Sequence, residues 1–359
     1  MLYKLESWRG LAAILVVIYH SPFSFSETPL PFISNSFLFV DFFFILSGMV
    51  MSLAYSKKIA NGMHIKEYAL LRFARIYPLH FFMLNAWLIY FIFKQTLFLN
   101  GLGGNDQFAP ENHINLWTYT CNLLLIHAMG LYNEFSWNGP SWSISVEFFA
   151  YLFFYLSIVL FDKKQSILYP IIISSSCYLG LFLLDMDSLA SYLSLSFIRC
   201  IGAFYIGVII HRLKVKKILH SVPHINLFEV LSTLSLVILL CFSSSYIDQL
   251  CVVIIMALTI VIFSEEKNTG LLGAFFQTKL MRTLGLWSYS IYMIHSILYS
   301  MSLIFVDKVM GLEVTNISGI DSLLINLSIL LITVYLSKYS YKYIEVICRD
   351  KIRSWATTK

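Results

Sequence analysis

The stretch Ile171-Ile172-Ile173-Ser174-Ser175-Ser176-Cys177-Tyr178-Leu179-Gly180-Leu181-Phe182-Leu183-Leu184 contains no charge and no alternation of apolar with polar positions. A barrel strand alternates with a period of two because one face meets lipid and the other the lumen. Here the apolar residues run on instead, as they do in Leu323–Tyr335. A single segment surrounded by hydrocarbon about 30 Å thick satisfies its own backbone hydrogen bonds only as a helix. Outward from these two stretches, runs of the same kind recur at 9–25, 35–55, 76–98, 141–161, 167–184, 193–211, 225–242, 248–263, 284–306 and 321–344. They predict an all-α, polytopic transmembrane helical bundle of about ten spans.

Composition agrees with this. Of 359 residues, 58% are hydrophobic and 13% charged, against roughly 25% charged in an ordinary soluble domain. A water-soluble core cannot absorb that excess. The first apolar run carries Arg9 and His20 and lacks a small-residue cleavage site, so it reads as a span and not as a removable signal peptide. The net charge of +5 does not call for nucleic acid, because the basic residues follow topology. With the N-terminus inside, Lys57, Lys58, Lys66, Arg72, Arg75, Lys163, Lys164, Arg212, Lys214, Lys216, Lys217, Lys267, Lys279, Arg282 and the basic tail all fall on the inner side. The outer segments hold only Lys308, and Gln95 to Asp162 has no Lys or Arg. That bias sets both termini inside.

Cys121, Cys177, Cys200, Cys241, Cys251 and Cys348 stand singly, with no Cys-x-x-Cys, and read as small apolar packing residues that imply no disulfide and no metal. The absence of repeats, low-complexity runs and a soluble appendage makes residues 1–359 one membrane domain. Two connections are more than linkers. Residues 56–75 end in an amphipathic stretch, Tyr68 to Ile76, expected to lie in the interface with Arg72 and Arg75 toward phosphate. The long outer segment 100–140 contains a second one, Leu116–Ala128, with Trp117 and Tyr119 suited to the aromatic belt.

Charge inside lipid is costly, so each ionisable residue within a span is a functional candidate. Arg9 and His20 are eleven residues apart on the first span, which returns them to within about 20° of one face, about 16–17 Å apart along the axis. Asp41, Glu147 and Arg199 each lie six residues into spans that start outside, hence about 9 Å below the outer boundary. His20 and His295 come from the inside and end just inward of that layer, at about 16–17 Å. Two acids, two imidazoles and one guanidinium are expected to converge and neutralise one another. Such a cluster serves a proton relay in a transporter or an acid–base centre in an enzyme, and these alternatives stay open on physics alone. Arg9, Arg72 and Arg75 on the inner side suit a phosphate-bearing cytosolic ligand, since guanidinium matches phosphate bidentately, although positive-inside bias accounts for the same charges.

The motifs carry a resemblance. Trp8-Arg9-Gly10-Leu11 leading to His20 resembles the Arg-x10-His signature of the membrane-bound acyltransferase-3 family, and Val40-Asp41-Phe42-Phe43-Phe44-Ile45-Leu46-Ser47-Gly48 looks like its second-helix motif. Arg72-x-x-Arg75-Ile76-Tyr77-Pro78, Ser141-Trp142-Ser143-Ile144-Ser145-Val146-Glu147, Ser288-Tyr289-Ser290-Ile291-Tyr292-Met293-Ile294-His295 and Tyr343-Ile344-Glu345 come next in the family's order, so the likeness covers residues 8 to 345. The chain departs from it at Phe148, where the family often has a second acid, and Glu147 is the one retained.

The resemblance implies a bacterial inner-membrane O-acyltransferase. Its donor would be cytosolic acyl-CoA, most simply acetyl-CoA, and its acceptor a hydroxyl of a lipid-linked or surface-polysaccharide sugar. It implies no metal and no nucleic-acid partner, and without the hydrolase-like domain that some members add, the bundle is expected to complete the transfer itself. His20 is then expected as the general base, tuned and oriented by Asp41, while Arg9, Arg72 and Arg75 hold the coenzyme A phosphates. Glu147 and His295 position the acceptor, complete the acid–base set or serve as structural hydrogen-bond partners. Trp142 is a sugar-stacking residue or an interfacial anchor. Arg199 neutralises Asp41 or Glu147 or touches substrate, Glu345 pairs with an inner-side arginine, and Gly48 permits close helix approach. The runner-up is a carrier of lipid-linked sugars that uses the same charges as a coupling relay.

Overall fold

The computed structural model describes residues 2–23, 30–184, 187–189, 193–216, 224–265, 269–313 and 317–357, and among these every regular element is a helix. In chain order they are α1 (Tyr3–Tyr19), α2 (Pro31–Ser34), α3 (Phe39–Ala60), α4 (Ile65–Leu99), α5 (Leu116–Leu123), α6 (Trp142–Leu160) and α7 (Leu168–Leu183). The second half of the chain adds α8 (Ser196–Val215), α9 (Ile225–Phe242), α10 (Tyr246–Phe263), α11 (Leu271–Phe276), α12 (Lys279–Lys308), α13 (Gly319–Ser340) and α14 (Ile347–Thr357). Among the described residues, 8 helical stretches are long and apolar enough to cross a membrane; they contain α3, α4, α6, α8, α9, α10, α12 and α13. The other two expected spans correspond to α7, which is apolar but 16 residues long, and α1, which has 17 and carries Lys4, Glu6 and Arg9. Lys217, Lys267 and the end of the first expected span lie outside the described residues.

Two helix pairs form the centre, α3 with α8 and α1 with α12. Glycine explains why these pairs come so close. A Cβ on Gly48 would overlap the Phe204 carbonyl, and one on Gly207 would overlap the Ile45 carbonyl, so α3 and α8 touch backbone to backbone. Gly10 meets Leu284 and Gly285 in the same manner, and Gly285 meets the Glu6 carbonyl. In lipid no hydrophobic force draws helices together, and such small-residue contacts supply the packing. The remaining helices surround this centre and turn Leu and Ile outward, for example Leu179, Leu183, Ile238 and Leu331.

Ends are tied by buried ion pairs at the basic face of the bundle, where α1 begins and α3 ends. Lys4 reaches Glu229 at 3.7 Å, and Arg212 meets Asp162 at 2.5 Å. Glu229 also accepts from the Gly270 and Gly273 amides at the start of α11.

Two expectations about the elements need correction, and one further feature is new. The Tyr68–Ile76 stretch does not lie apart in the interface: α4 runs unbroken for 35 residues through Pro78, and Tyr68 is buried with its hydroxyl on the Tyr151 carbonyl at 3.0 Å. Hydrogen-bonded burial of Tyr68 holds this segment against α6, which carries Arg72 and Arg75 into the bundle. α1 begins at Tyr3 and ends at Tyr19, so His20 caps the helix rather than occupying its middle. Finally, α13 passes into α14 through a π-helical turn, Tyr341–Val346. An extra residue in a turn rotates the helix beyond it, and here Glu345 is buried toward Arg75.

Gly48→Ala and Gly207→Ala should each cost at least about 1–3 kcal/mol, because the added carbon meets backbone that no rotamer change can clear. Thermal unfolding in detergent checks this against Gly180→Ala, where the new methyl meets open space. Equal stability of all three variants would contradict the close-approach account.

Candidate active site

Two cavities occupy the centre of the bundle. The first, ≈ 820 Å³, is lined by Arg9, Ser47, Arg72, Arg75, Glu147, Tyr151 and Tyr289 among others. The second, ≈ 1000 Å³, is lined by Tyr19, His20, Phe37, Trp142 and Arg199. Val40 and Tyr292 belong to both walls. A larger space of ≈ 1600 Å³ at the basic face shares Arg9, Leu46 and Val50 with the first cavity and adds Glu6, His211 and Lys214. The three form a series through the protein from its basic face to the opposite one.

The first cavity is rich in guanidinium. Arg75 is paired with Glu345 at 2.6 Å, and Glu345 also accepts from Ser290 at 2.5 Å, which matches the expected structural role of that acid. Among the described residues Arg72 has no carboxylate partner: it donates to the Tyr55 hydroxyl at 2.5 Å and lies over the Tyr55 ring at 4.5 Å. Arg9 makes neither ion pair nor hydrogen bond with them and has Arg75 and Glu147 as charged neighbours. Two guanidinium groups without a carboxylate make a receptor for an anion, because desolvated charge requires a counter-charge.

Glu147 faces this cavity and not the one that holds His20. Its Oε1 accepts from both Ser47 and Tyr151, each at 2.6 Å. The reason lies in the register of α6: Trp142 opens the helix at the second cavity, and Glu147, five residues on, lies about 7–8 Å deeper. Ser47 and Tyr151 are absent from the residues expected at the site. Tyr151 stands four residues after Glu147, a helical spacing that brings side chains together, and this is the signal that could have found it.

The three serines before Glu147 fasten the start of α6 to the long 100–140 segment and to α12. Ser141 Oγ donates to the Asn138 carbonyl at 2.7 Å and its own carbonyl meets His127 Nε2 at 3.1 Å. Ser143 Oγ lies 2.9 Å from the Tyr292 hydroxyl, and Ser145 Oγ donates to the Leu125 carbonyl at 2.5 Å. Alternating along the start of α6, they bind three surfaces and fix the wall at Tyr292.

In the second cavity, the His20 ring donates Nδ1–H to the Val16 carbonyl at 2.9 Å. A carbonyl only accepts, so Nε2 keeps its lone pair. His295 stands behind it with ring centroids 4.9 Å apart, fully buried, neither nitrogen reaching a partner at bonding geometry. The two imidazoles thus share a layer, as depth arithmetic predicts. The expected pairing of Asp41 with His20 is absent. Asp41 gives its carboxylate to Arg199, with Nη2 at 2.5 Å and Nε at 3.0 Å, because a buried guanidinium fork claims a carboxylate in range. Arg199 in turn lies 5.7 Å from the Trp142 ring. Among the described residues no group of three or more His, Cys, Asp or Glu is arranged to hold a metal ion.

Architecture and site together define a helical membrane protein with an arginine-lined cavity on one side of a thin wall and a histidine on the other. The chain belongs to the acyltransferase-3 family, whose acyltransferase domain matches residues 2–341. It is 40% identical over 89 residues to protein 2 of the picA locus of Rhizobium radiobacter, covering 24% of this chain and 44% of that protein. It is also 26% identical over 165 residues to the peptidoglycan O-acetyltransferase OatA of Listeria monocytogenes, covering 45% of this chain and 24% of the relative. The chain therefore spans less than half the length of either relative. No solved structure matches it.

Burial, and after it the neighbouring His80 ring, push His127 of the 100–140 segment down to about 3. With an unfolded value near 6.5, this histidine contributes stability that is full above about pH 6.5 and is lost progressively as pH falls toward about 3. Thermal unfolding should drop between about pH 7 and 5, and His127→Gln should flatten the slope; an unchanged slope would assign it to another group. Asp41→Asn should lower stability by about 3–5 kcal/mol, since it leaves Arg199 without counter-charge. Pairing it with Arg199→Gln should recover much of the loss, and equal damage in the single and double variants would mean that the pair is not the cause.

Proposed function

We propose that the protein transfers an acyl group, acetyl in the first instance, from cytosolic acyl-coenzyme A to a hydroxyl of a lipid-linked or surface-polysaccharide sugar across a bacterial inner membrane. One observation carries this reading: α1 presents Arg9 to the first cavity and His20, at its end, to the second, and the two cavities share Val40 and Tyr292. Arg9 and Arg72, lacking carboxylates, suit the donor phosphates, with Arg75 beside them. The uncharged arm of the donor then extends past Phe43 and Phe44 while its phosphates stay near the basic face.

His20 acts as the base. Its Nε2 takes the proton of the acceptor hydroxyl as that oxygen attacks the thioester carbonyl. The C–S bond breaks, the imidazolium returns the proton to the leaving thiolate, and the products are a sugar ester and free coenzyme A. The Val16 carbonyl, rather than Asp41, holds the required tautomer. His295 packs behind the ring and fixes its position. Trp142 offers an aromatic face to the sugar, and the Asp41–Arg199 pair holds that wall. Glu147, held by Ser47 and Tyr151, lines the same cavity as Arg9 without pairing with it. The name of the Listeria relative, a peptidoglycan O-acetyltransferase, supports a carbohydrate acceptor.

Membranes supplied with radiolabelled acetyl-CoA test this. His20→Ala and His20→Gln should each reduce transfer by at least about 10²-fold while still binding coenzyme A, because Arg9 lies about 16 Å away along the helix. Arg72→Ala should raise the donor KM, more so at high ionic strength. Near-parent transfer by His20→Ala would remove His20 from the chemistry, and acceptor movement without release of free coenzyme A would favour a carrier.

A further inference from the structure

A groove of ≈ 1810 Å³ lies beyond the second cavity, at the end of the bundle away from the basic face, and the proposed transfer leaves it without a use. It runs between the last turns of α4 and α12, against residues of the outer loop. One wall is aromatic: Trp87 lies 5.3 Å from Phe91, and Phe91 lies 5.7 Å from Trp137. Phe135, 60% exposed, walls both this groove and the cavity that contains His20. A chain-like molecule with one unit at His20 therefore has its continuation over Phe135.

Several features point to a ligand. Trp87 is buried and lines the groove, yet its indole N–H has no acceptor among the described residues. Lys94, half-buried, has no hydrogen bond or carboxylate partner among them and only the Tyr90 ring at 5.7 Å. The loop wall is held firmly: Trp137 keeps a left-handed φ of 55°, uncommon for a bulky residue, with its N–H on Thr118 Oγ1 at 3.0 Å. Asn138 beside it donates to the Met293 carbonyl at 3.2 Å and accepts from Ser296 Oγ at 2.7 Å. Of the acids at the groove, Asp307 is taken by Lys308 at 3.0 Å and Glu313 is exposed. A wall of aromatic faces, one unpaired indole N–H and an ammonium without a carboxylate is mismatched to a lipid tail, which would leave Lys94 and the Trp87 N–H unpaired. It matches a pyranose, whose C–H face lies on a ring while a hydroxyl accepts from the Trp87 N–H.

We infer that this groove is a second acceptor subsite, binding the sugar next to the one acylated, with Lys94 holding an acidic substituent, carboxylate or phosphate, on that neighbour. The inference rests on the carbohydrate acceptor proposed above and deepens it: glycan length and charge, not a single sugar, are recognised.

The test uses the full chain in membranes, radiolabelled acetyl-CoA, and size-fractionated oligosaccharides from a mild-acid hydrolysate of the host's surface polysaccharide. Acceptor KM should fall by about tenfold from the shortest fraction to the next, a difference corresponding to one good contact. Lys94→Gln and Phe91→Ala should raise KM for the longer fractions by about three- to tenfold without moving the donor KM or the KM of the shortest fraction. Lys94→Gln keeps the subsite testable if Phe91→Ala misfolds. Reducing the carboxylates of the fragments to alcohols should abolish the Lys94 effect where the anion is a carboxylate, and its persistence assigns a phosphate. KM independent of length, or variants that weaken short and long fragments alike, would overturn the subsite while leaving transfer intact. Label in no fraction, even with the parent protein, would instead overturn the carbohydrate reading and this inference with it.

Discussion

Backbone contact between α1 and α12 at Gly10 and Gly285 is the constraint on which the site depends. On α12, Ser288, Tyr289, Tyr292 and His295 continue the face that Gly285 begins, at spacings of three, four, seven and ten residues. On α1, Arg9 is next to the contact, and His20 lies eleven residues beyond Arg9 on the same side as Arg9. Once the glycines meet, the first cavity must form beside Arg9 and Tyr289, and the two imidazoles must come together at the other end. Any side chain larger than hydrogen at those positions would move both ends at once.

Charge is distributed along this frame in a way that keeps each group tolerable. Asp41–Arg199, Arg75–Glu345 and Arg212–Asp162 are closed pairs, and Glu147 rests on two hydroxyls. Among the described residues around the cavities, Arg9 and Arg72 lack a carboxylate, His20 keeps a lone pair, and His295 leaves both ring nitrogens without a partner. Unsatisfied groups gathered in this manner are costly to a fold and informative about its use.

Much of this is legible in the sequence. Continuous apolar runs specify the helical class, and the depth of His20 and His295 specifies their shared layer. Arg9, Arg72 and Arg75, which positive-inside bias gathers on one side, line one cavity, and Glu345 meets one of them. Depth, however, fixes height and not direction around a helix. It puts Asp41 and Glu147 level with His20, whereas rotation about α3 turns Asp41 to Arg199, and the start of α6 at Trp142 carries Glu147 deeper, to Ser47. The expected interfacial stretch from Tyr68 to Ile76 fails because Tyr68 is buried and α4 is continuous through Pro78. The π turn at Tyr341–Val346 has no signature in composition and shows only in backbone geometry.

The wall shared by the two cavities has an electrical meaning. A series of polar chambers through a membrane is also a potential route for ions, and an elementary charge crossing 100 mV releases about 2.3 kcal/mol. Val40 and the Tyr292 ring are what the chambers hold in common, and Tyr292 is pinned by its hydroxyl to the Pro140 carbonyl at 2.7 Å and by Ser143. What the two chambers share is one isopropyl group and one aromatic ring. An apolar Val and a tethered Tyr, rather than another polar pair, at this shared boundary oppose the passage of a charge.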